Sequence, residues 1–297
     1  MRPRQAAQVL RRAGPRLSAS LAQEKLSRLL DRWHLSKLDD LSTALMRRVL
    51  GNPVTIEVDG LRVQGPFDSR WMLGRMKAGL YEPLEVELFK DAVDPGTTVL
   101  DIGANIGFYS LLASRAVGDG GSVYAFEADP RNISHLHANV QANSSTNIEV
   151  LAAAVAAEPG VQVFRMAAKP THSSLFMSMG NVPVTATVEV ATVAIDDVLA
   201  DRPTVDVVKM DIEGGEVAAL RGMTATLEAS PNLRMFVEFE PPALEAAGES
   251  PEEFLRRLKS IFEDVSVIDE RQRRLVPLGD ASLLGTQSLL CSRVRST

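Results

Sequence analysis

The chain has 297 residues, of which 45% are hydrophobic and 24% charged, and its formal net charge is −6 at pH 7. This composition is typical of a soluble globular protein with a full hydrophobic core. Cys291 is the single cysteine, which excludes an intramolecular disulfide, and no Cys/His cluster has the spacing of zinc ligands. Because we find no apolar run of about 18 residues and no signal-peptide pattern, we expect a cytoplasmic protein.

Residues 1–50 form a separate basic segment. They contain 11 Lys and Arg against 4 Asp and Glu, whereas the whole chain is acidic. Leu26, Leu29, Leu30 and Trp33 recur at helical spacing, which predicts a helical arm that docks on the protein's own domain. The positive charge of the arm would also suit peripheral contact with an anionic membrane surface. We expect no nucleic-acid partner, because phosphate binding needs a basic face and the rest of the chain is acidic.

Residues 51–83 are predicted to be a hairpin and linker that cap the site of the main domain. The segment VTIEVDGLRVQG alternates apolar and polar residues around Asp59 and Gly60, which is a strong hairpin signal. The next periodic segment, EPLEVELFKDAV, predicts a helix that leads into the main domain, residues 84–297.

Strands and helices alternate through the main domain. This order predicts an α/β fold with a doubly wound, mostly parallel sheet that is covered by helices on both faces. Residues 160–195 are the exception, because two strand patterns follow each other without a helix and predict an inserted pair whose connecting loop acts as a lid. The tail supplies a last antiparallel pair, near residues 265 and 287. The main strands are expected near residues 97–102, 122–127, 147–153, 205–211 and 233–239.

A cofactor loop follows the first strand of the main domain. The apolar run of VLDIGANIG ends at Asp101 and breaks into a loop whose glycines permit close approach of a ligand to the main chain. The next strand ends at Glu127, whose carboxylate can bind both ribose hydroxyls of an adenosine. A dinucleotide fingerprint needs three glycines here, but Asn105 and Phe108 occupy two of their positions. A nicotinamide-dependent oxidoreductase is therefore the weaker interpretation.

A second group of chemically active side chains lies in KMDIEGGE, where Lys209, Asp211, Glu213 and Glu216 stand at the end of the fourth strand. Ligands of open parallel sheets bind beyond the carboxyl ends of the strands, so we expect this segment to be the chemical centre. Lys209 is expected to pair with an acid that steadies the loop. His172, in the lid loop, is a further candidate base.

A metal ion is an alternative use of the same acids. Asp211, Glu213 and Glu238 offer the oxygen ligands that suit a divalent cation such as Mg²⁺, which would acidify an acceptor hydroxyl. Their spacing is not diagnostic of a metal site. We therefore expect no resident metal.

Three segments carry a resemblance to a known family. VLDIGANIGFYS, VYAFEADP and VDVVKMDIEGGEVAALRGM, in this order and spacing, resemble the FkbM methyltransferases, and the similarity covers roughly residues 80–270. The resemblance implies S-adenosylmethionine as the cofactor and the class I methyltransferase fold with a seven-stranded sheet. Asn105, where a generic class I loop has a middle glycine, is typical of the family.

The resemblance also implies roles for individual residues. The methionine part of the cofactor would be held by the loop of Asp101, Gly103, Asn105 and Gly107, the ribose by Glu127, and the adenine by Ala153. The expected reaction is methylation of a hydroxyl of a sugar, glycan or polyketide-type metabolite, with Asp211, Glu213 or His172 as the base. An oxidoreductase and a non-catalytic cofactor-binding scaffold stay open as alternatives.

Overall fold

The computed structural model describes residues 51–167, 173–176, 184–201, 204–279 and 285–293. The chain divides into two compact units, one that ends at Tyr81 and one that begins at Glu82. The predicted arm, residues 1–50, lies outside the described residues. Among the residues that are described, no helix is both long enough and apolar enough to cross a membrane.

The first unit contains the predicted hairpin. Strands β1 (Val54–Val58) and β2 (Leu61–Gly65) pair antiparallel, and helix α1 (Arg70–Lys77) follows a short 3-10 turn. Asp59 and Gly60 have φ values of 51° and 72°, so both central residues of the turn are in the left-handed region that a two-residue hairpin favours. The hairpin is confirmed, and its role as a cap over the site stays a prediction.

The second unit begins with a helix and continues as alternating strands and helices. Its described helices are α2 (Pro83–Ala92), α3 (Phe108–Val117), α4 (Pro130–Ala142), α5 (Ile195–Val198), α6 (Glu216–Arg221), α7 (Thr224–Ala229), α8 (Pro241–Ala246) and α9 (Pro251–Ile261). Its described strands are β3 (Thr98–Ile102), β4 (Ser122–Phe126), β5 (Ile148–Leu151), β6 (Ala154–Val155), β7 (Gly160–Ala167), β8 (Val184–Val193), β9 (Val207–Met210), β10 (Arg234–Phe239), β11 (Asp264–Asp269), β12 (Arg274–Pro277) and β13 (Gln287–Ser292).

The large sheet has the order β12-β11-β13-β10-β9-β3-β4-β5. Strands β10, β9, β3, β4 and β5 are parallel, and β13 lies antiparallel between β10 and β11, as predicted for the tail. The expectation of seven strands is wrong for the described chain, because the sheet has eight. The additional strand is β12. Asp269 accepts hydrogen bonds from the N–H groups of Arg271 and Gln272, which turns the chain back along β11.

The inserted strands form a separate sheet of order β6-β8-β7. Strands β7 and β8 pair antiparallel, which confirms the predicted insertion, and the short β6 extends the pair on the other side of β8. Within the loop between β7 and β8, Ser174 forms a backbone bridge with Arg165. This part of the loop is therefore anchored to the insertion.

The alternation of side chains along the large sheet separates an apolar face from a face that carries the chemistry. Leu100 of β3 and Val208 of β9 belong to the core cluster that packs against helices α5 to α9. On the opposite face Phe89 of α2 packs edge-on against Tyr109 and Phe236, with ring centroids 5.0 and 5.5 Å apart. This second face also holds buried polar residues, among them Asp101 and Lys209.

We expect Phe236→Ala to destabilise the second unit by about 3–5 kcal/mol, because it empties a fully buried site between the sheet and α2. Leu275→Ala on β12 is the matched control, since Leu275 is 37% exposed and its loss leaves no cavity. Urea unfolding of both variants measures the difference. Equal destabilisation by the two substitutions would contradict the packing.

Candidate active site

The loop between β3 and α3 has the backbone of a ligand cradle. Gly103 and Gly107 have φ values of 89° and 86°, and Asn105, between them, has a φ of 53°. The N–H groups of Gly103 and Ala104 both donate to the carbonyl of Phe126. A Cβ atom at Gly103 would lie 1.9 Å from the carbonyl oxygen of Asp211, so only glycine fits there. The loop after β3 and the loop after β9 are therefore in direct contact.

Glu127 fixes the far side of this loop. Its carboxylate accepts hydrogen bonds from the backbone N–H groups of Asn105 and Asp129, each at 2.6 Å. Burial raises the pKa of Glu127 to about 8, against the opposing effect of these N–H groups. The buried Ala153 lies nearby, because the N–H groups of Glu127 and Ala153 both donate to the carbonyl of Leu151. Glu127 and Ala153, the residues predicted to bind the ribose and the adenine, thus lie at one edge of the sheet.

Asp101 is buried at the end of β3. Its carboxylate accepts a hydrogen bond of 2.5 Å from the Ser110 hydroxyl of α3, and it pairs in register with Lys209 of β9. Burial raises the pKa of Asp101 to about 6, and the hydrogen bond from Ser110 and the charge of Lys209 oppose that rise. Asp101 therefore holds the start of α3 against the cofactor loop.

Lys209 is a buried cation beneath the site. Its Nζ lies 2.8 Å from Oε1 of Glu85 on α2 and 4.0 Å from Oδ2 of Asp211, and it stands 5.2 Å from the ring centroid of Tyr109. Although burial alone would lower it, the pKa of Lys209 is raised well above its ordinary value by Glu85, Asp211 and Glu82. The predicted pairing of Lys209 with an acid is confirmed, and its main partner is on a helix far away in sequence.

Three carboxyl groups meet where β9 and β10 end, two from the loop after β9 and one from the last residues of β10. Oxygen atoms of Asp211, Glu213 and Glu238 all lie within 4.8 Å of one another. Burial and the charges of Asp211 and Glu213 raise the pKa of Glu238 well above its ordinary value, and a hydrogen bond with Asp211 adds to the rise. Glu238 is therefore the member of this group that holds a proton most firmly, and it shares a hydrogen bond with Asp211. These three groups have the oxygen ligands that would suit a divalent cation.

The loop that carries Asp211 and Glu213 is held from two sides. The Glu216 carboxylate accepts hydrogen bonds from the N–H groups of Ile212 and Gly214, and burial raises the pKa of Glu216 to about 7. The hydroxyl of Ser174 donates to the carbonyl of Glu213 at 2.8 Å. Because Ser174 belongs to the insertion, this described part of the inserted loop contacts the backbone of the loop that carries Asp211 and Glu213, and its role as a lid stays a prediction.

Most of the residues that we selected from the sequence lie at this edge of the sheet. His172 lies outside the described residues, so its role stays a prediction. Two buried or half-buried acids, Glu82 and Glu85 at the start of α2, were missed, because EPLEVELF reads as an ordinary amphipathic helix. The signal that would have found them is the unpaired charge of Lys209, which requires an acid from another element.

The comparisons with known proteins point to one family. The family model described as "Methyltransferase FkbM domain" matches residues 101–264. The hexuronic acid methyltransferase AglP of Haloferax volcanii is 25% identical over 191 residues, which are 63% of this chain and 74% of that protein. An arsenite methyltransferase of Halobacterium salinarum is 41% identical over 58 residues, which are 20% of this chain and 15% of that protein.

Solved structures give a likeness as well. A SAM-dependent methyltransferase from Aquifex aeolicus aligns with a TM-score of 0.37 and 17% identity, over 71% of this chain and 89% of that one.

The family match, which spans more than half of this chain, makes the protein a methyltransferase that depends on S-adenosylmethionine. The chain belongs to the FkbM methyltransferase family, and the oxidoreductase and scaffold alternatives are set aside.

The residues present fit this cofactor. The loop has the left-handed backbone at Gly103 and Gly107 that a close approach of a ligand to the main chain requires, and buried carboxylates stand on both sides of it, at Asp101 and Glu127. S-Adenosylmethionine carries an ammonium and a sulfonium, both positive, and a ribose with two hydroxyl donors, so carboxylates are suitable partners for each part.

We expect Gly103→Ala to weaken binding of S-adenosylmethionine about ten-fold or more, because the new Cβ must displace the Asp211 carbonyl. Gly96→Ala is the matched control. Gly96 has a similar φ of 84° but no atom within 4 Å of an added Cβ, so it carries the same backbone strain without the clash. Isothermal titration calorimetry measures both affinities. A Gly96→Ala variant that loses as much affinity as Gly103→Ala would contradict the steric argument.

Proposed function

We propose that the protein transfers the methyl group of S-adenosylmethionine to a hydroxyl oxygen of a sugar, glycan or related small metabolite. The observation that carries the proposal is the group of Asp211, Glu213 and Glu238 beside the glycine loop. An alcohol is too weak an acid to react unaided at neutral pH, so its methylation needs a base. A carboxylate acceptor needs no base and would be repelled by these acids.

The sugar class has support from one relative. AglP, by its name, acts on a hexuronic acid, and it aligns with 63% of this chain. A hexuronic acid offers both hydroxyl groups and a carboxylate. The acidic surroundings of the site in this protein favour the hydroxyl groups as the point of methylation.

We assign the cofactor contacts as follows. Asp101, Gly103, Asn105 and Gly107 surround the methionine part, Glu127 binds the ribose hydroxyls, and Ala153 lines the adenine. Support comes from the backbone of the loop and from the hydrogen bond that ties Asn105 to Glu127. S-Adenosylmethionine, when bound, supplies an electrophilic methyl group, and the protein aligns the acceptor oxygen with it.

Asp211 is our first choice for the base. It is a third exposed, its loop touches the glycine loop at Gly103, and its side chain shares a hydrogen bond with Glu238. Glu213 and His172 are the other candidates. We propose that no resident metal takes part, since the spacing of Asp211, Glu213 and Glu238 in the sequence is not that of a diagnostic metal site. The cytoplasmic location, and the contact of residues 1–50 with a membrane, stay predictions.

The nature of the acceptor atom is tested with S-adenosylmethionine that carries a labelled methyl group. Neutral glycosides and hexuronic acids are offered as acceptors, and each labelled product is treated with mild alkali. We expect label that survives the treatment, because a methyl ether is stable to alkali and a methyl ester releases methanol. Loss of all label from the uronic acid product would contradict a hydroxyl acceptor, while absence of turnover with every acceptor would leave no support for the sugar class.

We expect Asp211→Asn to lower the single-turnover rate about 10²-fold or more while S-adenosylmethionine still binds, because a positioned base typically contributes 10²–10⁴-fold. His172→Ala is measured beside it across pH. If His172 is the base instead, the wild-type rate rises through the ordinary histidine pKa of about 6.5 and that limb is lost in His172→Ala. Activity that EDTA removes and Mg²⁺ restores would contradict the metal-free assignment.

A further inference from the structure

Glu82 stands directly before helix α2 in a conformation that an ordinary helix start does not need. Its φ and ψ are 43° and 53°, in the left-handed region, although it is not a glycine. Its side chain does not cap the helix. The N–H groups of Leu84 and Glu85 bind instead to the Glu270 carboxylate, at 3.0 and 2.9 Å. The left-handed backbone of Glu82 is therefore not explained by capping of α2, and such strain is concentrated at functional sites.

The side chain of Glu82 points to the site. The phenol of Tyr109, on the helix that follows the glycine loop, donates a 2.7 Å hydrogen bond to Oε2 of Glu82. Glu82 also interacts electrostatically with Glu85 on its own helix, with Lys209 of β9 and with Asp211 in the loop beyond it. The Asp211 carbonyl packs on Gly103. Glu82 therefore lies close to the part of the cofactor loop that is proposed to surround the methionine part.

The negative charge in this region exceeds the positive charge. Glu82, Glu85 and Asp211 all interact with Lys209, which already lies 2.8 Å from Glu85. In the described part of the chain, Oε2 of the fully buried Glu85 has no hydrogen-bond partner. Burial and the neighbouring acids raise the pKa of Glu82 to about 7, since its charged form lacks sufficient compensation. A second cation beside Glu82 would compensate its negative charge.

We propose that the Glu82 carboxylate, oriented by Tyr109, binds the ammonium group of the methionine part of S-adenosylmethionine. The inference rests on the proposed cofactor contacts and adds Glu82, a residue that is not among them. The ammonium is the partner, and not the sulfonium, because an ammonium has three N–H donors for a carboxylate and a sulfonium has none. Since S-adenosylhomocysteine keeps this ammonium, Glu82 binds substrate and product forms of the cofactor alike.

The test compares ligands with and without the ammonium. S-Adenosylmethionine and S-adenosylhomocysteine contain it, whereas 5′-deoxy-5′-methylthioadenosine has the same adenosine and a thioether but no amino-acid part. We expect Glu82→Gln to lower the affinity for the first two ligands about ten-fold to a hundred-fold, because a charge-assisted contact is lost. Calorimetry measures these affinities. Binding of methylthioadenosine, measured by competition, is expected to stay within about two-fold of the wild type.

Two further variants control the experiment. Glu87→Gln removes a carboxylate from the same helix at a side chain that is 58% exposed and pairs with Arg273, so it is expected to leave all three affinities unchanged. Tyr109→Phe keeps the Glu82 carboxylate but removes the hydroxyl that orients it. We expect this variant to lose less affinity for S-adenosylhomocysteine than Glu82→Gln does. Thermal unfolding of each variant verifies that it is folded.

Each outcome decides the proposal. An unchanged affinity of Glu82→Gln for S-adenosylhomocysteine would overturn it. An equal loss for S-adenosylhomocysteine and methylthioadenosine would also overturn it and would make Glu82 a structural residue of the loop. A wild-type protein that binds neither S-adenosylmethionine nor S-adenosylhomocysteine would instead contradict the proposed cofactor contacts themselves, which separates the two failures.

Discussion

The site depends on one buried cation. Lys209 lies on the strand face where α2 and α3 pack, and its ammonium is 2.8 Å from Glu85 and 4.0 Å from Asp211. A buried charge is tolerated only when it is paired, so the ion pair with Glu85 ties α2 to the centre of the sheet. It also keeps negative charge close to the place where the cofactor loop and the acidic loop meet. Glu82, Glu85 and Asp211 all interact with this one ammonium.

A steric constraint joins the two loops. Gly103 has a left-handed backbone and no space for a Cβ, because the Asp211 carbonyl occupies it. The cofactor loop and the acidic loop therefore cannot move independently. In a methyl transfer that depends on alignment of the acceptor atom, the methyl carbon and the sulfur, such rigidity serves the reaction directly. The tether from Ser174 to the Glu213 carbonyl extends the same rigidity to the inserted sheet.

The electrostatics of the site favour a cationic ligand. Asp101, Glu82, Glu216 and Glu238 all have pKa values above the ordinary range, mainly because they are buried. A ligand that brings positive charge relieves this cost, and S-adenosylmethionine carries two cationic groups. After methyl transfer the sulfonium becomes a neutral thioether, so the product form of the cofactor compensates less of the negative charge. This difference favours exchange of product for substrate.

The sequence by itself determined the local features. Asp59 and Gly60 specify the hairpin, and Gly103 and Gly107 specify the loop after β3, because each of these features depends on residues that are neighbours in the chain. The acids after β9 could be selected as candidates for the same reason. Only the tertiary structure decided which distant groups meet. The pairing of Glu85 with Lys209 and the contact of Glu82 with Tyr109 join separate elements, and no periodicity encodes them. The eighth strand, β12, is short and mostly exposed, so its pairing with β11 and not its own pattern makes it a strand.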